Sequence, residues 1–165
     1  MEKNKKKKLI IIIIGIILFL IVIDQVTKIV FYQDMQVIPN VLKFTKVQNT
    51  GGAFGVGQNS TLTFIITNII VLGIIIRFMM VQQEQIDKKT YFALCLIIAG
   101  GVGNLIDRIV RGYVVDFIDF SQVIKFPVFN IADCYIVIGW IMLAACFAAY
   151  TYHASKKRGE KIEKI

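Results

Sequence analysis

Four long apolar runs, separated by shorter polar segments, set the first expectation for this chain. Leu9 to Tyr32, Thr61 to Val81, Tyr91 to Val110 and Asp133 to Tyr152 are each nearly continuous in hydrophobic residues. Each is long enough to cross a hydrocarbon core of about 30 Å, which takes roughly 20 helical residues. The pattern predicts membrane-spanning helices at about 9–32, 61–81, 91–110 and 133–152. The first run follows a lysine-rich tail, as the core of a secretory signal would. No small-residue cleavage site follows it, and Asp24-Gln25-Val26-Thr27-Lys28 leads into further apolar residues, so it reads as an uncleaved span. The long connections lie at about 33–60 and 111–132. In the first of them Val37-Ile38-Pro39-Asn40 reads as a turn. Val41 to Gln48 then mixes β-branched and aromatic residues with Lys43 and Lys46, which predicts a small amphipathic sheet. The expected architecture is membrane all-α: a four-transmembrane-helix bundle with a small extracellular β-sheet on the membrane surface, residues 1–165 forming one polytopic unit.

Composition agrees with membrane residence. The 165 residues are 56% hydrophobic and include only two prolines, and the mean hydropathy of +0.68 is far above that of a soluble domain of this size. The net charge of +8 changes the picture only by where it sits. Lys3, Lys5 to Lys8, Lys88, Lys89, Lys156, Lys157, Arg158, Lys161 and Lys164 flank the apolar runs on one side, whereas Lys43, Lys46, Arg108, Arg111 and Lys125 belong to the other. That asymmetry is a topology signal and places both termini in the cytoplasm, in contact with anionic membrane lipid; no nucleic-acid partner is expected. Arg77 is near the inner end of its span, where its head can snorkel. Cys95, Cys134 and Cys146 show no C-x-x-C spacing and read as packing residues. His153 is the single histidine, so neither a zinc site nor a Ser-His-Asp triad has the residues it needs, and no metal or cofactor is expected. Ala99-Gly100-Gly101-Val102-Gly103 in the third span and Ala144, Ala145, Ala148 and Ala149 in the fourth would let helices approach closely in lipid.

Charged groups within a bilayer cost at least about 2.5 to 3.5 kcal/mol each near the centre, so each needs a partner or a purpose. At 1.5 Å of rise per residue, Asp24 lies about 22 Å above Leu9 and Asn104 about 20 Å above Tyr91. Asp133 opens the span that descends from the outer side. Asp24, Lys28, Asn104, Asp107, Arg108, Asp116, Asn130 and Asp133 are thus brought to one level under the outer surface. Asp24 and Lys28, four apart and acid first, suit a structural ion pair. Asn104, Asp107, Arg108 and Arg111 form one polar stripe, either a satisfied network or a lipid-phosphate contact through Arg108. Asn49 and Gly51 stand in Asn49-Thr50-Gly51-Gly52-Ala53-Phe54-Gly55, where glycines allow a tight turn or a close approach of backbone to ligand. Asp116 has bulky apolar neighbours in Val114-Val115-Asp116-Phe117, which disfavour its ionised form. Asp133, three residues after Asn130, fits a helix cap. Together the two fit a pair of carboxyls with separated proton affinities, as acid and base catalysis requires.

At these residues the chain resembles the lipoprotein signal peptidases, or signal peptidases II. The blocks that carry the resemblance are Asp24-Gln25-Val26-Thr27-Lys28, Asn49-Thr50-Gly51-Gly52-Ala53-Phe54, Gly103-Asn104-Leu105-Ile106-Asp107-Arg108, Val114-Val115-Asp116-Phe117 and Phe129-Asn130-Ile131-Ala132-Asp133. Gly52 stands where alanine is usual, and Cys134 where a small polar residue is common. The resemblance implies an aspartyl endopeptidase of the bacterial cytoplasmic membrane. Asp116 and Asp133 would be its catalytic dyad, cutting diacylglyceryl-modified prolipoproteins before the lipidated cysteine. It also implies action without a cofactor, inhibition by globomycin-type peptides, a monomer, and site-shaping roles for Asp24, Lys28, Asn49, Gly51, Asn104, Asp107, Arg108 and Asn130. Two other readings remain at this point. One is a small ion-coupled carrier with Asp and Arg residues staggered through the bilayer; the other is a non-enzymatic scaffold.

Overall fold

The structure is a computed structural model and describes residues 2–52 and 56–162. Ala53, Phe54 and Gly55 of the glycine-containing motif, and Lys164, lie outside the described residues, as do the side chains of Lys3, Lys5 to Lys7, Lys157, Arg158 and Lys161. The chain forms helices α1 (Glu2–Val30), α2 (Thr61–Val81), α3 (Lys88–Arg111) and α4 (Ile131–Ile162), with strands β1 (Met35–Ile38), β2 (Leu42–Asn49) and β3 (Val114–Asp119). Ile10–Val30, Thr61–Val81, Lys88–Arg111 and Ile131–Lys156 are long and apolar enough to cross a membrane, close to the four predicted spans.

Helix α3 is the hub, packed against α1, α2 and α4. Its small residues make that possible. A Cβ on Gly100 would run into the carbonyl oxygen of Ala132 and sit 2.7 Å from Ile136 Cγ1, so α4 lies directly on α3 backbone there. The alanines expected to do the same on α4 do not: Ala144, Ala145, Ala148 and Ala149 are exposed. Ala132, Ile136, Gly139 and Leu143 meet α3 or the core around it instead. Their spacing of three and four marks one helix face, and the four alanines lie off it. Gly100→Ala is therefore expected to lower stability by roughly 1 to 3 kcal/mol through overpacking. Thermal unfolding in detergent measures this, with Gly73→Ala as the control, because nothing lies within 4 Å of a Cβ at that position.

The three strands form one antiparallel sheet in the order β1-β2-β3. Val37 and Ile38, expected in a turn, belong to β1, and the reversal is made at Pro39 and Asn40, where Asn40 has φ 58°. Asparagine tolerates that left-handed conformation better than most residues. Strand β3 lies within what read as an irregular loop. Phe31 at the end of α1 meets Phe44 of β2 and Phe117 of β3, with ring centroids 4.7 and 5.8 Å away, and so ties the sheet to the end of the bundle. Across β2 and β3, burial pushes the Asp119 carboxyl up. Donors from Ser121, Thr45 and Lys43 outweigh that and hold it at about 2.

Candidate active site

The end of α3 determines where Asp116 goes. Gly112 takes φ 81° and its N–H donates to Arg108 O at 3.2 Å, which closes the helix at a residue with no Cβ penalty for the left-handed turn. The chain reverses into β3, whose first turn is pinned where Val115 N–H donates to Asp107 Oδ2 at 3.1 Å. Asp116 is then paired with Val47 of β2. It is buried, and each of its oxygens accepts an amide: Oδ2 from Asn49 Nδ2 at 3.0 Å and Oδ1 from Asn130 Nδ2 at 2.6 Å. Burial, and then the nearby charge of Asp133, push its proton affinity up to about 7 against those two hydrogen bonds.

Asp133 is set by the start of α4. Its N–H donates to Asn130 Oδ1 at 3.0 Å, and Asn130 N–H donates back to Asp133 Oδ2 at 3.2 Å, a reciprocal cap. The capping role read from the sequence is therefore real, and it uses only one oxygen. The other, Oδ1, accepts Asn104 Nδ2 at 2.8 Å. Asn130 and Asn104 are themselves 3.2 Å apart through Nδ2 and Oδ1, so two amides bridge the two carboxylates.

Beneath this lies an ion network closed to solvent, with Asp24 and Asp107 0% and Lys28 1% exposed. Lys28 Nζ meets Asp24 Oδ2 at 2.9 Å, Asp107 Oδ2 at 3.0 Å and Asn104 Oδ1 at 2.9 Å. Asp24 Oδ1 accepts Ala132 N–H at 3.0 Å, tying α1 to the first turn of α4, and Arg111 pairs with Asp107. Arg108, left open between a network and a phosphate contact, points elsewhere on the stripe. Its Nη2 donates to Gly51 O at 2.8 Å and its guanidinium lies 5.2 Å from the Phe64 ring centroid. Its buried Nε has no partner among the described residues. Gly51 N–H in turn donates to Asn49 Oδ1 at 2.9 Å. All ten residues singled out from the sequence thus fall in one connected constellation.

A cavity of about 880 Å³ opens against it, lined by Asp116, Asp133, Asn104, Arg108 and Asn49 and by apolar residues of α2, α4 and the segment before α4. Two carboxyls on one cavity, one with a proton affinity near neutrality, have the equipment for acid and base chemistry on a bound molecule. Among the described residues, no set of three His, Cys, Asp or Glu side chains is arranged to hold a metal ion. Asp24, Lys28, Asp107, Arg111 and Asp133 gather at the sheet end, whereas a carrier requires such groups to be staggered through the depth.

A family model described as Signal peptidase (SPase) II matches residues 16–149. This chain belongs to the signal peptidase II family. It is 42% identical over 135 residues to a lipoprotein signal peptidase of Caldanaerobacter subterraneus subsp. tengcongensis, covering 78% of this chain and 90% of that one. It is 37% identical over 150 residues to that of Staphylococcus aureus strain Newman, covering 86% and 91%. A solved structure titled a bacterial membrane enzyme superposes with a TM-score of 0.77 at 35% identity, over 84% of this chain and 88% of that one. As a signal peptidase II, the chain is a peptidase of the bacterial membrane with several spans.

Three residues of this signal peptidase II were not singled out for its site. Gln25 Nε2 reaches Asp107 Oδ1 at 3.2 Å and Gly103 O at 3.1 Å, crossing from α1 to α3. An amide beside Asp24 at membrane depth was the available signal, since it needs partners there. Phe64, under Arg108, gave no signal among apolar neighbours. Asn68, an amide in the middle of α2, lines the cavity.

Proposed function

We propose that this chain removes the signal peptide from diacylglyceryl-modified prolipoproteins by hydrolysing the bond before the lipidated cysteine, with Asp116 and Asp133 as the acid and base. The observation that carries this reading is the pair of amide-bridged carboxyls facing one cavity at the end of an apolar bundle. Asp133, both of whose oxygens already accept N–H donors, takes a proton from a water. Asp116 donates its proton to the scissile carbonyl oxygen, giving a neutral tetrahedral intermediate with no covalent bond to the enzyme. The proton held by Asp133 then passes to the departing cysteine nitrogen as the C–N bond breaks, and Asp116 is reprotonated as the new carboxyl forms. The proton belongs to the couple, so its placement on Asp116 describes one microstate. A bond tethered to the membrane by its own lipid is presented at the depth where these groups lie, with the active site at the outer face and both termini cytoplasmic.

The proton affinity of Asp116 has a direct consequence. Because the acid must be protonated, kcat/KM is expected to fall as pH rises through about 7, and to fall again on the acid side as the base is neutralised. Initial rates in lipid bicelles across the pH range measure it; an alkaline limb that does not appear until well above pH 9 sinks the assignment of Asp116 as the acid. The function itself is tested by incubating the purified protein with a synthetic diacylglyceryl prolipoprotein peptide, with and without globomycin. Cleavage before the lipidated cysteine is the expected result, and an uncleaved substrate refutes it.

A further inference from the structure

Asn68 is the one asparagine of α2, whose other polar residues are threonines and Arg77 near its end. An amide surrounded by lipid-facing helices is costly unless its donors and acceptor are used. Its Nδ2 donates to Gly101 O on α3 at 2.9 Å. In a regular helix that carbonyl already accepts the N–H of the residue four positions on, so the backbone of α3 does not require the second bond. The remaining N–H and the Oδ1 of Asn68 have no hydrogen-bond partner among the described residues. Closeness is permitted by Gly101, where a Cβ would sit 3.2 Å from Asn68 Oδ1.

Asn68 also lines the cavity that holds Asp116, Asp133 and Asn104. Its anchor, Gly101, precedes Asn104 by three residues, which is about 4.5 Å along the axis of α3. The cavity therefore has two polar tiers. The upper holds the carboxyls and their bridging amides; the lower is Asn68 on the opposite helix, in a cavity that Val71, Ile136 and Val137 also line. A signal peptide held as a helix in lipid satisfies its own backbone, but a bond presented for hydrolysis must be extended. The residues leading to it then leave peptide N–H and C=O groups open where no water replaces the lost partners. One amide carries both a donor and an acceptor, the complement of the N–H and C=O that a single residue of an extended strand turns to the same side. An extended strand rises about 3.3 Å per residue, so the lower tier is one to two residues from the upper.

We infer that Asn68 binds the backbone of the signal peptide one to two residues ahead of the cleaved bond and holds that stretch out of the helix. The inference rests on the function proposed above and adds a substrate contact to it. It is tested with diacylglyceryl prolipoprotein peptides in bicelles. In separate peptides the amide one, two or four residues before the scissile bond is replaced by an ester, and each is assayed with the wild-type chain and with Asn68→Leu. On the all-amide peptide Asn68→Leu is expected to reduce kcat/KM roughly 3- to 10-fold, the effect of one lost hydrogen bond. An ester at position one or two is expected to slow the wild-type chain by a similar factor and to add little further loss in the variant. An ester at position four gives additive losses. A residue that merely joins α2 to α3 would give additive losses at every position, and that result, like an unchanged kcat/KM in Asn68→Leu, overturns the inference while leaving the proposed function standing. If the wild-type chain cleaves none of the peptides, the proposed function fails and the inference fails with it.

Discussion

Asp116→Asn and Asp133→Asn are each expected to lower prolipoprotein cleavage by about a hundred- to ten-thousand-fold, the contribution of a positioned acid or base. The two losses should not multiply. Once either proton carrier is gone the other has no cycle to complete, so the double variant should be about as slow as the worse single one. The fold should survive. At position 133 an asparagine keeps an oxygen that can accept the Asn130 N–H now capping α4 through Oδ2, and gives up the bond that Oδ1 accepts from Asn104. At position 116 the new amide loses one of the two bonds from Asn49 and Asn130, a change of roughly 1 to 3 kcal/mol, since one donor is left facing another. Single-turnover cleavage measured beside the unfolding temperature separates the two effects. Full activity in either single variant would remove the aspartyl mechanism.

The second large effect is on stability. Lys28→Met is expected to destabilise the protein by about 3 to 5 kcal/mol, because it leaves the buried Asp24 carboxylate without its cation and Asp107 with Arg111 alone. The pair is closed to water, so no solvent screening softens the loss. Combining it with Asp24→Asn should restore part of the stability: one uncompensated charge is removed, and the amide oxygen can still accept Ala132 N–H. Chemical denaturation in detergent reads both variants. A Lys28→Met protein as stable as the wild type, or a double variant worse than the sum of the singles, would show that the buried charges are compensated elsewhere.

The apolar runs made the four helices legible because length and hydropathy alone decide a span, and the charged residues at one depth made the constellation legible because lipid leaves such groups few alternatives. Strand β3 was not legible. Val114, Val115, Asp116 and Phe117 are all buried, so the strand is covered on both faces and shows none of the polar and apolar alternation by which a strand is recognised. The α4 alanines misled for a related reason: composition tells that a helix carries small residues, not which face they occupy. Arg108 was ambiguous because its partners, Gly51 and Phe64, come from distant segments. Asp133 showed its cap and its pairing with Asp116, but not the bond from Asn104 to its second oxygen, which comes from another helix.

The ion network is built from two acid-first pairs, Asp24 with Lys28 on α1 and Asp107 with Arg111 on α3, each four residues apart on its own helix. Two-stage assembly, in which helices insert before they pack, leaves each segment with only its own partners at first. A lone charge in an inserting segment is costly, and each of these two acids has its own counter-ion one turn away. The cross-links from Lys28 to Asp107 and from Gln25 to Asp107 require α1 and α3 side by side. Asp24 and Asp107 are thus each paired within their own helix, and these two pairs do not depend on contacts between helices.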